Sequence, residues 1–130
     1  MSTVHDDEGR LVGEDVKLQR LATVARTRAL VADEATAEGA AVRDTDGRTY
    51  AAATVEAADG VAPTSAVRGA VSAAASSGAR ALEAAVLLGG HPRLTADDAA
   101  VLAPLGEDVP VHLLGPQGVL VATVTPRASR

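Results

Sequence analysis

One aromatic side chain, Tyr50, has to serve a chain of 130 residues that contains no Phe and no Trp. That absence constrains the fold more than any motif. The interior must be built from Val, Leu and Ala, and small side chains bury little area each, at roughly 25 cal/mol per Å². Such a core is stable only if its elements approach closely. Oligomerisation is one way to add buried area.

The pattern along the chain gives the elements. Residues 1–13 are polar and terminal and are expected to form a flexible leader. In residues 14–33, Leu18, Leu21, Ala22, Ala25 and Ala29 recur at helical spacing, with Lys17, Arg20 and Arg28 left for water. Residues 38–56 read as a hairpin turning at Asp46-Gly47, a pair suited to left-handed backbone. Pro63 then interrupts, Thr64 or Ser65 can cap, and a helix runs to Gly78, with Ala66, Ala70, Val71 and Ala74 on one small-residue face. That face suits close packing on a sheet or at a subunit interface.

Residues 82–88 form a buried strand. Thr95 and Asp98 resemble a capping box opening a helix to about Leu102, which Pro104 and Gly106 close. Two strands follow, 108–114 and 119–124, with a tail at 125–130. Helices interleaved with short strands imply one α/β domain over 14–124, a mixed sheet with helices on both faces.

Composition excludes some functions. The net charge of −5 lacks the basic face expected for generic nucleic-acid or anionic-membrane binding. No apolar run is long enough to span a bilayer, and the acidic, polar N-terminus is not a signal peptide, so the cytoplasm is the expected location. With no cysteine there is neither a disulfide nor a thiolate.

Several segments resemble one family in order and spacing. The run EGAAVRDTDGRTYAAATVE (38–56) is similar to the first hairpin of the cytidine deaminases, which shows V-G-A-A-L, then D-G, then N-V-E or N-I-E. TSAVRGAV in the second helix falls where that family has a C-A-E-R-T-A-L type motif, and DVPVHLLGPQG (108–118) resembles the strand and turn after its second motif. The resemblance covers about residues 14–120. It implies a three-layer α/β/α cytidine-deaminase-like fold with a mixed sheet of about five strands, and an oligomer with pockets built between subunits.

The departures fall on the chemistry. Zinc deaminases hold Zn²⁺ with a His/Cys/Cys or Cys₃ set, and a glutamate that is not a ligand shuttles protons. The resemblance places the first ligand at Ser65 and the glutamate at Val67. Where the P-C-x-x-C motif belongs, this chain reads RLTADDAA (93–100), and no copy of the chain has a thiol to lend. The expectation is therefore no catalytic residue, no metal and no cofactor. Glu56 matches a ribose-holding glutamate, with Thr54 in place of the preceding asparagine, so Thr54 and Glu56 are candidate nucleoside-binding residues.

Other constellations are sparse. His5 falls in the leader, and His112 alternates with Val111 and Leu113 as an ordinary strand residue. His91 with Asp97 and Asp98 is a candidate His/carboxylate metal set, against loop and helix-start roles. Ser65 lacks the G-x-S-x-G context and the placed base of a nucleophile, which favours an N-cap role. The reading is a catalytically inactive cytidine-deaminase-like scaffold, homo- or hetero-oligomeric, for protein interaction or for a nucleoside. The alternative is a hydrolytic deaminase or another nucleoside-acting enzyme with a non-standard site.

Overall fold

A computed structural model describes residues 5–6, 9–58 and 63–130. Parts of the expected leader (1–4 and 7–8) and of the loop before the second helix (59–62) lie outside the described residues. The elements run α1 (Asp15–Arg26), β1 (Glu38–Asp44), β2 (Thr49–Ala53), α2 (Ala66–Ser76), β3 (Leu82–Gly89), α3 (Ala96–Leu102), β4 (Val111–Leu114), β5 (Leu120–Val124) and a last helical turn, α4 (Pro126–Ser129). Short 3₁₀ turns at Glu34–Thr36 and Ala103–Leu105 complete the order.

The five strands form one mixed sheet in the order β2-β1-β3-β4-β5. β1 pairs antiparallel with both β2 and β3, β3 and β4 run parallel, and β5 returns antiparallel on β4. The parallel pair needs a crossover, which α3 supplies. The alternation of β3 divides the core between the two faces. Ala84, Val86 and Leu88 pack with Leu18 and Ala22 of α1, while Ala85 and Leu87 pack with α2 and α3. This is the three-layer α/β fold with five strands that the resemblance implies.

The small-residue core has a direct consequence at Gly39. A Cβ there would lie 2.0 Å from the Ala22 carbonyl oxygen, so α1 rides on β1 at a distance only glycine permits. On the other face, Ala66, Val67, Ala70, Val71 and Ala74 of α2 are all buried against the sheet and α3. The small-residue face is therefore spent inside the subunit and does not serve as an interface.

Other local expectations are corrected. The first helix stops at Arg26 and does not continue to residue 33. Thr27 Oγ1 donates to the Val24 carbonyl at 2.6 Å, and the chain then joins the sheet margin: Leu30 N–H donates to Thr54 O and Glu56 N–H to Leu30 O. Strand pairing thus takes residues whose apolar spacing suited a helix. The hairpin closes through residues 45–48, and only Gly47, at φ +87°, is left-handed. Asp44 builds the loop instead, its Oδ1 accepting from Asp46 N (3.0 Å) and Arg48 N (2.9 Å). The strand expected at 108–114 begins at Val111. Leu11, placed in the leader by its sequence context, is buried beside Leu18, and Pro126 in the expected tail is buried too.

Candidate functional site

The starts of α2 and α3 meet beside the end of β3 and the head of β1, where Glu38 pairs with Gly89. Both helices open on short hydroxyl side chains because the first amides of a helix have no partner within it. Ser65, not Thr64, caps α2: its Oγ accepts from Arg68 N at 3.0 Å. Thr95 caps α3, its Oγ1 accepting from Asp98 N at 3.1 Å. The Ser65 hydroxyl proton has its own partner, Asp98 Oδ1, at 2.6 Å. Asp98 is buried, with 6% of its surface exposed.

Glu38 completes this cluster. Burial pushes its carboxyl pKa up to about 7, with the Asp98 carboxylate adding to the rise and Arg26 opposing it. Sequence reading missed this residue. The available signal was an acid heading the otherwise apolar strand EGAAV.

The remaining candidates are dispersed. Val67, where the sequence resemblance places the proton-shuttling glutamate, is 4% exposed and packs in the main core. The Thr54 hydroxyl closes on the main chain of Glu38, accepting from its N–H at 3.1 Å and donating to its carbonyl at 3.4 Å. Glu56 Oε1 accepts from Ala32 N at 2.7 Å. Glu56 also lines an open groove of about 550 Å³ with Ala29, Leu30, Val31 and Ala32. His91 and Asp97 are exposed whereas Asp98 is buried, so the three do not converge. Among the described residues no group of three or more His, Asp or Glu could hold a metal ion. His5 is exposed and contacts the Asp6 carbonyl.

His112 is not the ordinary strand residue its alternation suggests. It is 1% exposed and bonded at both ring nitrogens, Nε2 to Asp15 Oδ2 (3.1 Å) and Nδ1 to Thr123 Oγ1 (2.9 Å). A carboxylate only accepts, so Nε2 carries the proton and Nδ1 accepts from the Thr123 hydroxyl. Burial holds the imidazole pKa below its usual value, against the pull of Asp15, and keeps the ring neutral. Asp15 is also paired to Arg43 at 2.9 Å, and Arg43 reaches Glu83 as well. This network fastens α1 to the sheet on the face opposite Ser65.

The zinc implied by this fold finds no fitting donor set. Ser65, to which the sequence resemblance assigns the first ligand, has a hydroxyl already donating to a carboxylate, and the chain contains no cysteine. Alcohol groups ionise too weakly to replace thiolates at such a centre.

Comparison with known proteins agrees with the architecture. A cytidine deaminase from Burkholderia pseudomallei superposes with a TM-score of 0.78 at 24% identity, covering 87% of this chain and 93% of that one. A point mutant of the cytidine deaminase from Mycobacterium tuberculosis gives 0.74 at 21% identity, over 90% and 91% of the two chains. A cytidine deaminase from Mycobacterium leprae gives 0.67 at 20%, over 87% and 93%. No curated protein matches the sequence significantly. Residues 11–118 match the family described as cytidine deaminase-like. With most of its length matched and its sheet, helices and connections of the same design, the chain belongs to the cytidine deaminase-like family.

Proposed function

We propose that this chain is a catalytically inactive cytidine-deaminase-like protein, serving as an interaction or ligand-binding scaffold. The observation that carries the reading is the Ser65–Asp98 hydrogen bond, with Val67 buried behind it. Hydrolytic deamination needs a hydroxide at neutral pH and a group that moves protons to the departing amine. Ser65 and Asp98 are engaged with each other, and valine carries no proton. Glu38 is a carboxyl group near the same spot, but without a Lewis acid to lower the pKa of water it has no activated nucleophile to serve.

The scaffold half of the reading is supported by apolar side chains left at the surface. Leu30 is 65% exposed and Val55 43%, and the two residues are bridged where the chain continues past the end of β2. A homo- or hetero-oligomeric contact would cover them. The ligand half is supported by Glu56 in the wall of the adjoining groove. If that groove takes a nucleoside, cytidine or uridine raises the melting temperature and Glu56→Ala removes the effect.

The decisive experiment measures ammonia release from cytidine and deoxycytidine, with and without added zinc, alongside elemental analysis of the purified chain. No turnover and no stoichiometric zinc are expected. Chelator-sensitive ammonia release at an enzymatic rate overturns the proposal and establishes the enzyme alternative.

A further inference from the structure

The same residues have a consequence for folding. We propose that Ser65 and Asp98 form a metal-free clasp that fastens the start of α2 to the start of α3. The inference rests on the reading of the site as lacking metal donors, and its test is separate from the activity assay.

The two helices reach this point from distant parts of the chain, Ser65 and Asp98 being 33 residues apart. Each has its own cap, from Ser65 Oγ for α2 and Thr95 Oγ1 for α3. A serine hydroxyl offers one proton and two lone pairs. The cap uses a lone pair, so the proton is free to bridge, and it goes to Asp98 Oδ1. At 2.6 Å the bond falls in the range of hydroxyl–carboxylate hydrogen bonds, the stronger class. One oxygen thus ends one helix and ties it to the next.

The surroundings give the bond its weight. Behind it the two helices pack through Ala66, Val67, Ala70, Ala99 and Leu102, mostly alanine and therefore poor in apolar area. Asp98 is 6% exposed, and Ser65 Oγ is its bridging partner from α2. Removing the hydroxyl strands a buried acidic group, which is far more disruptive than losing a surface contact.

The test is a double-mutant cycle on the full chain: Ser65→Gly, Asp98→Ala and the pair, each melted with EDTA and with zinc. Glycine is nearly as good as serine at an N-cap, so a large loss in Ser65→Gly reports the bridge and not the cap. The clasp predicts a fall of about 3–6 °C for each single variant, on the scale expected of a chain between small and mid-sized domains. It predicts that the double variant falls by markedly less than the two together. The wild-type melting temperature should be indifferent to both EDTA and zinc. Ser65→Thr keeps the hydroxyl and should melt within about 2 °C of wild type, which keeps the test open if a single variant does not fold. Additive losses, a destabilised Ser65→Thr, or a wild type stabilised by zinc would each overturn the clasp. An ammonia-releasing chain with a fully coupled cycle would overturn only the functional reading.

Discussion

Glu38→Gln should make this protein more stable in alkaline solution than the wild type. Glu38 titrates at about 7 in the folded chain instead of its ordinary 4.5, chiefly through burial and secondarily through Asp98. The folded state therefore binds this proton more tightly than the unfolded state does. The resulting stabilisation is fully present below pH 4.5 and is lost as pH rises through 7. A shift of that size corresponds to a ceiling of about 3 kcal/mol, at roughly 1.36 kcal/mol per pH unit. Glu38 is only partly buried, and solvent screening reduces the expected effect to about 1–2 kcal/mol. Glutamine keeps the shape and stays neutral at every pH. Urea unfolding from about pH 5 to 9 should show wild-type stability falling up to about pH 7, with a flatter profile in Glu38→Gln and a crossing in its favour on the alkaline side. Asp98→Asn should flatten the same limb in part, because it removes the second cause. Parallel pH profiles for wild type and Glu38→Gln would refute the reasoning.

Three further outcomes follow from named contacts. Gly39→Ala forces a methyl to within 2.0 Å of the Ala22 carbonyl oxygen and should destabilise by about 2–3 kcal/mol in urea; a change under about 0.5 kcal/mol would mean α1 does not ride there. His112 has a depressed pKa in the fold, so its contribution is present above its ordinary 6.5 and is lost as pH falls below that. His112→Gln should weaken the acid-side decline in melting temperature, and an unchanged decline would remove His112 from its causes. If Leu30 and Val55 mark an interaction surface, light scattering at micromolar concentration should give a mass above the monomer, and Leu30→Arg should lower it. A monomeric wild type throughout that range counts against self-association.

The amino-acid order determined a good deal alone. The short apolar run of β3, helical spacing in α1 and α2, and hydroxyl caps before Ala66 and Ala96 are local signals, each read from neighbours within a few residues. The lack of cysteine is a property of the whole composition, and it removes thiolate from the available donors whatever the fold. What tertiary structure decided was every property that depends on distant residues. Leu30 left the helical pattern because Thr54 and Glu56 offered it strand hydrogen bonds. His112 became the centre of a buried network because α1 carries Asp15 across the sheet to it. Ser65 and Asp98 are ordinary as caps and helix-start acids, and they meet only because α2 and α3 begin at one point on the sheet. The elevated pKa of Glu38 arises the same way, since burial and a carboxylate 60 positions downstream leave no trace in the residues flanking it. Periodicity and capping act over one or two turns of chain, whereas desolvation and charge act through space, and only the fold sets those distances.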